Sequence, residues 1–545
     1  MKNTNKNING IFINQIGYLP ADSKIAFITE KAKGNSDTFE LCDFASSQTV
    51  YTGKICSKNN DGSKYVDSTV GEEIFYADFS DFTDEGKYFV KINDANSFSF
   101  EIKKNVYQNL LDLTLKYFTL SRCGQGICHT ADAEIYGTHQ TKKVQGGWHD
   151  AGDYGRYIVA TAKTVMDLLL AYENITEKTA VSDSADCFDF DILGEVRYAL
   201  EWMLQMQRED GAVYHKISCY HFCGFINPED EKDKIVLAPV STTATADFAG
   251  SLAYASRFYT EKDKTFADSL LNAALKAQDY LNSHDDELFI NPPEITTGAY
   301  GDPHVQDERY FALCSLWLAT QNPLYLKNAF EIRTTEMNYV ASQKNDINKQ
   351  HFWYDGFGWG LMSGFGDEIL IKNSEKIPQE FMQNEQDIKN CIIKEAGEIV
   401  QISNNSAFKY NSTFYGWGSN GAICDKAHIL ILANSIMPKK EYLTVAKAQA
   451  DYILGCNPLN YCYVTGAGSK SPEHPHHRPS GASKKVMPGM LVGGPCASLQ
   501  DEYARKHLAG EPPLKCYADA EPSYSTNEVA IYWNSALIYV LSKVG

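Results

Sequence analysis

From Ile11 to about Lys103 the chain alternates apolar and polar residues in short runs, FINQIGYLP, KIAFIT, TFELCDF, YADFSDF, GKYFVKI and FSFEI, separated by Gly, Asp, Asn and Pro. Runs of this length between turn formers predict strands, and their succession predicts a small all-β sandwich with a supporting role. After Lys104 the period changes. NVYQNLLDLTLKYFTL, YIVATAKTVMDLLLAYENI, FDILGEVRYALEWMLQMQ, TATADFAGSLAYASRFY, FADSLLNAALKAQDYL, DERYFALCSLWLAT, NGAICDKAHILILANSI, YLTVAKAQADYIL and NEVAIYWNSALIYVLS repeat apolar residues at three- and four-residue steps, the signature of helices. Several are apolar around most of their circumference, which suits inner helices packed on two sides. The expected fold is therefore multidomain β + α: a sandwich over residues 1–104, then concentric antiparallel helices, an α/α barrel, over residues 105–545.

The loops between these helices, such as YHKISCYHFCGFINPEDEKDK and GAGSKSPEHPHHRPSGASKK, are long and rich in Gly, Pro, His and Asp. Long ordered loops on a rigid scaffold are where function concentrates. Composition narrows what that function is. The chain has 33 Tyr, 27 Phe and 7 Trp, enough aromatics for a packed interior and for a cleft that stacks the apolar faces of sugar rings. A formal net charge of -19 repels polyphosphate and leaves no basic footprint, which excludes nucleic acid as a partner. No run of about 18 apolar residues predicts a membrane span. The opening MKNTNKNINGIFINQIGYLP lacks an apolar signal core, and the 14 cysteines are scattered rather than framed as disulfides, so a cytoplasmic address is expected.

Three separated loops carry candidate chemistry. GGWHDAGDYGRY places Asp150 and Asp153 three residues apart between glycines, flanked by Trp148 and His149. One aspartate here would read as a cap on the following helix. Two close carboxylates repel, and must be held by hydrogen bonds or used. SPEHPHHRPS offers His474, His476, His477 and Arg478. Clustered imidazoles suit a metal, but the fixed charge of Arg478 disfavours a cation, and hydrogen bonding to ligand hydroxyls fits better. YADAEPSYSTNEVAIYWNS contains Asp519, Tyr524 and Glu528, with Thr526 placed to cap a helix in which Glu528 is an ordinary first-turn glutamate. Together, a carboxylate pair, a distant carboxylic acid, imidazoles, a guanidinium and aromatics suit hydrolysis of a sugar acetal, in which one acid protonates the leaving oxygen and one carboxylate activates water or attacks carbon.

These three motifs, in this order, resemble the signatures of glycoside hydrolase family 9, the inverting cellulase family. FINQIGYLP is similar to the start of the immunoglobulin-like domain carried by one branch of that family, and VSTTATADFAGSLAYASR resembles its cellodextrinase-like members. The resemblance implies an N-terminal immunoglobulin-like β-sandwich followed by an (α/α)6 barrel, and hydrolysis of β-1,4-glucosidic bonds in cellulose-type glucans or soluble cellodextrins. It makes Asp153 the general base, Asp150 its close partner, and Glu528 the general acid. His476 and Arg478 would bind the sugar around the cleaved bond, with Asp519 and Tyr524 supporting the acid and neighbouring subsites, and Trp148 and His149 contributing to substrate binding.

The resemblance also implies structural metals, although the chemistry needs no cofactor. Cys123, Cys128, His129 and His139 supply a ligand set suited to tetrahedral zinc. Asp302, Asp307, Glu308 and Asp355 offer hard oxygens for calcium, and Glu308 also reads as a plain first-turn acid. Other readings are a hydrolase of mixed-linkage glucan or glucosamine oligomers, a non-catalytic sugar-binding protein on the same fold, and a metal-dependent lyase or phosphohydrolase using the aspartate pair as a chelate.

Overall fold

The computed structural model describes residues 10–59, 64–124, 132–181, 190–342 and 356–545. Its N-terminal part is a two-sheet sandwich. Strands Ile11–Phe12, Ile25–Thr29 and Ile74–Asp78 make one sheet; Gly17–Tyr18, Phe100–Ile102, Gly86–Ile92 and Thr38–Asp43 make the other. Strand Thr49–Cys56 joins them, pairing along Thr38–Asp43 at its start and with Ile74–Asp78 through Ile55 and Cys56 at its end. The period-two pattern explains the packing: Tyr88, Val90 and Ile92 point inward from alternate positions and meet Phe39, Leu41, Phe100 and Ile102 in a separate core.

The last sandwich strand ends at Ile102, and the next helix begins at Gln108. Among the described residues, twelve helices of ten or more residues follow in alternation. Gln108–Leu120, Ile192–Gln205, Lys264–Ser283, Pro323–Ser342, Met382–Asn405 and Lys440–Ile453 form an outer layer. Ile158–Val181, Thr242–Tyr259, Gln306–Thr320, Ser363–Lys372, Ser419–Ile436 and Ile531–Val544 form an inner ring, closed where the last packs on the first. This is an (α/α)6 barrel behind an immunoglobulin-like domain.

Burial follows the sequence pattern. Lys264–Ser283 buries Phe266, Ala267, Leu270, Ala274, Ala277 and Leu281 along one stripe, whereas Thr242–Tyr259 buries every residue but Arg257 and Phe258. Small polar side chains inside that inner helix are satisfied by its own backbone: Thr245 and Ser251 each donate to the carbonyl four residues earlier, at 2.7 Å. Among the described residues no helix is long and apolar enough to cross a membrane.

Two features position the loops. A small five-stranded sheet, ordered Thr141–Lys142, Ala133–Ile135, Ile235–Leu237, Lys216–Cys219, Arg156–Tyr157, sits where the inner helices begin. Its strands are two to four residues long and drawn from distant loops, too short for a periodicity to announce them. The sandwich is fastened to the barrel by polar contacts. Asn14 donates to Asp451 at 2.7 Å, Lys447 donates to the same carboxylate at 2.7 Å, and Gln15 N–H donates to Leu454 O at 2.9 Å. A groove of about 1010 Å3 lies along this junction and shares no residue with the three candidate loops.

Candidate active site

The structure brings Asp150, Asp153, His476, Arg478 and Glu528 together at one end of the barrel, on loops stitched by backbone bonds. His476 and Glu528 form a parallel bridge, with His476 N–H donating to Asn527 O at 2.9 Å. Arg478 N–H donates to Gly152 O at 2.9 Å, and Ile531 N–H to Asp150 O at 2.8 Å. Gly152 lies in the seam. A Cβ there would meet His476 O at 2.2 Å and Glu528 Oε1 at 3.1 Å, so only glycine lets the aspartate loop approach the acid loop this closely.

Neither aspartate caps a helix. Asp153 Oδ2 accepts from Gly155 N–H at 3.2 Å, and the strand Arg156–Tyr157 separates the pair from the helix starting at Ile158. The reading of an aspartate here as a cap on that helix therefore does not hold. Glu528 is also not a first-turn residue: it follows the short helix Tyr524–Asn527 and is extended, with Ile531–Val544 beginning three residues later. Thr526 accordingly serves its own loop, bonding Ser523 Oγ at 2.8 Å.

The electrostatics differ among the three acids. Asp150 has no exposed surface; burial pushes its carboxyl up to about 8, opposed by a 2.5 Å hydrogen bond from Tyr300 Oη and reinforced by the Asp153 charge. Asp153 keeps 8% of its surface exposed, so it is the member of the pair that opens to the cleft. Glu528 is partly exposed, yet protein atoms crowd its carboxyl. That burial, then the Asp153 carboxylate, hold it well above the usual carboxylate range, with Arg478 pulling the other way.

The supporting groups sort by contact. His476 Nδ1 lies 2.6 Å from Glu521 O, and burial lowers its pKa, keeping the ring neutral. Arg478 donates from Nε to Cys223 O at 2.9 Å and stacks over Phe222 and Phe225. Tyr524 stands between His476 and Trp417, ring centroids 6.0 and 5.1 Å away. Asp519 does not touch Glu528. It accepts from the backbone N–H groups of Glu473 and His474, both at 2.8 Å, and from Asn527 Nδ2 at 3.1 Å, so it organises the loops on either side of the acid. The expectation of substrate contact is corrected at Trp148. Trp148 is wholly buried against Phe118 and donates from Nε1 to Glu195 at 2.8 Å. His149 is buried beside Tyr154, its ring 5.0 Å away.

Sequence reading missed Tyr300, because its loop GAYGDPH was weighed only for metal ligands. Tyr300 packs on Tyr157 at 4.6 Å and on Trp359 at 4.9 Å, making an aromatic wall behind Asp150. Phe222, half exposed, and Trp417, 40% exposed, also face outward near the site, as platforms for rings would.

The metal expectations divide. Cys128, His129 and Asp355 lie outside the described residues; Cys123 is buried and His139 exposed. Among the described residues no three His, Cys, Asp or Glu side chains are grouped to hold a metal, and zinc enters no step below. The calcium expectation gains one member. Asp247, on the helix Thr242–Tyr259, shares the electrostatic neighbourhood of Asp302, Asp307 and Glu308, and both oxygens of Asp247 and of Glu308 are buried without hydrogen-bond partners. Orphaned hard oxygens of this kind fit a calcium ion whose remaining ligands come from elsewhere.

Comparison with known proteins agrees with the geometry. Residues 107–541 match Glycosyl hydrolase family 9, and residues 7–97 match the Cellulase N-terminal ig-like domain. The chain is 33% identical to a cellodextrinase of Butyrivibrio fibrisolvens over 98% of its own length and 99% of the relative's. It is 32% identical to endoglucanase D of Acetivibrio thermocellus, over 98% and 83%. A solved thermostable endoglucanase from Alicyclobacillus acidocaldarius superimposes with a TM-score of 0.86 at 31% identity, over 98% and 99% of the two chains. The chain thus belongs to glycosyl hydrolase family 9 and carries that family's immunoglobulin-like N-terminal domain.

Proposed function

We propose that this glycoside hydrolase cleaves β-1,4-glucosidic bonds of soluble cellodextrins with inversion, using Asp153 as general base and Glu528 as general acid. The observation that carries the reading is the unequal treatment of the acids. Glu528 is held protonated by burial and by Asp153, as a proton donor must be at neutral pH. Asp150 is driven toward its neutral form by burial and by the neighbouring Asp153 charge. In the reaction Asp153 takes a proton from water as the oxygen attacks the anomeric carbon, while Glu528 gives its proton to the departing glycosidic oxygen. Neutral His476 and charged Arg478 hydrogen-bond the sugar hydroxyls, and the aromatic wall holds the rings. Similarity to a cellodextrinase over nearly the whole of both chains supports soluble cellodextrins as substrates.

Calcium is proposed as a structural ion bound through the orphaned oxygens of Asp247 and Glu308, with its remaining ligands from elsewhere. It would supply positive charge to an acidic nest beside the Tyr300 loop and take no part in bond cleavage. The substrate reading is tested by product release from cellotetraose, mixed-linkage glucan oligomers, xyloglucan oligomers and chitosan oligomers at equal concentration. The expected order has cellotetraose first by at least about tenfold, the discrimination that hydroxyl-matched sites provide. Faster turnover of any other substrate would replace it.

A further inference from the structure

Strand Lys216–Cys219 runs antiparallel to Arg156–Tyr157, with Lys216 opposite Tyr157. Arg156–Tyr157 is where the loop bearing Asp150 and Asp153 leaves the site, so the backbone of Lys216 is tied to that loop. Its side chain lies over the ring of Tyr157, with Nζ 5.6 Å from the centroid. The ammonium, wholly buried, donates to Gly298 O at 2.5 Å, Thr297 Oγ1 at 3.0 Å and Thr297 O at 3.3 Å. The adjacent His215 brings Nε2 within 3.0 Å of Ala299 O and Nδ1 within 2.8 Å of Ser241 Oγ, and burial lowers this imidazole to about 3, so it is neutral.

Three consecutive carbonyls, those of Thr297, Gly298 and Ala299, are thus claimed by two adjacent side chains. The next residue is Tyr300, whose φ of 51° lies in the left-handed region. A bulky residue holds that conformation only where its surroundings over-determine it. Here the turn directs Tyr300 Oη onto Asp150.

A neutral donor could hold a turn, and burying an ammonium among neutral oxygens is costly. The acceptors of Lys216 are all uncharged, and the charged group acting on it is the Asp153 carboxylate, which opposes the downward pull of burial. Burial lowers this ammonium to about 7, and the Asp153 charge works against that lowering.

We propose that Lys216 is a positioning residue of the hydrolysis: it fixes the 297–300 turn that delivers Tyr300 to Asp150. This rests on the reading of Asp150 and Asp153 as the water-activating pair. Lys216 reaches the reaction through Tyr300.

The test is steady-state kinetics on cellotetraose for the wild type, Lys216→Met, Lys216→Arg, Tyr300→Phe and the Lys216→Met/Tyr300→Phe double variant, with circular dichroism to score folding. Lys216→Met is expected to lower kcat by about 10- to 100-fold with KM changed less than about twofold, and Lys216→Arg to recover much of it. The double variant is expected to lose little beyond Lys216→Met alone, because both changes break one connection. Multiplying losses, or wild-type kcat in Lys216→Met, would overturn the proposal. If Lys216→Met does not fold, Thr297→Val decides: a several-fold loss of kcat at constant KM is expected, and an unchanged kcat overturns. A wild type inert on cellotetraose would instead overturn the proposed function, and this inference with it.

Discussion

The α-carbon of Gly152 faces His476 O so closely that a methyl group on it would sit 2.2 Å from that oxygen. Separation of the loop of the base from the loop of the acid is thereby set at a residue that does no chemistry. Gly152→Ala must push the two backbones apart. A shift on the order of 1 Å at reacting groups costs about 100-fold in rate. The variant is expected to fold with a similar circular dichroism spectrum and to lose kcat by about that factor, measured on cellotetraose.

Arg478 lowers the pKa of Glu528, against burial and Asp153 that raise it. Removing the guanidinium therefore leaves the acid protonated to higher pH. For Arg478→Met the alkaline limb of the kcat/KM profile is expected to move to higher pH, together with a raised KM from lost sugar contacts. A limb displaced to lower pH would contradict the assignment of Glu528 as the acid that sets it.

The acidic nest makes a prediction about stability. Burial, with the Asp302 charge, raises Asp307 to about 7, and burial with the Asp307 and Asp302 charges raises Asp247 and Glu308 well above the usual range. A carboxyl whose folded pKa exceeds its unfolded value of about 4 binds more protons folded than unfolded, so stability falls as pH rises through that interval. After EDTA treatment Tm is expected to fall from pH 5 to pH 8, and added calcium is expected to flatten the decline. An EDTA-insensitive Tm across this range would remove the ion from the account.

Trp148 tests the corrected role of an aromatic beside the aspartates. Its indole donates to Glu195, which also accepts from Arg122 at 2.9 and 2.8 Å. Trp148→Phe leaves a buried carboxylate one partner short, at a cost of about 1–3 kcal/mol. A lower Tm with unchanged KM is expected; a raised KM at constant Tm would return Trp148 to the substrate.

The fold was legible because its periods are long and strong. Period-two runs ending near Lys103 and helices such as Thr242–Tyr259, apolar on every side, admit few arrangements other than a sandwich and a double-layered barrel. The acids were legible as motifs, but their environments were not. Glu528 read as a first-turn residue because Thr526 and Glu528 have cap spacing, whereas the chain turns extended at Glu528 to pair with His476. Trp148 read as a substrate contact because it neighbours the aspartates, and only the fold shows its partner Glu195, 47 residues away. Tyr300 and Lys216 carry no motif. Their roles arise from a small sheet and a left-handed turn assembled from loops distant in sequence, which local pattern does not encode.

The central claim is that Asp153 and Glu528 act from opposite faces of the sugar, with water between base and carbon. Proton NMR of freshly formed products from cellotetraose measures this directly, before mutarotation. The account predicts the α-anomer at the cleaved bond, and no formation of it by Asp153→Asn or Glu528→Gln. A β-anomer as first product, or wild-type turnover in either variant, would contradict it.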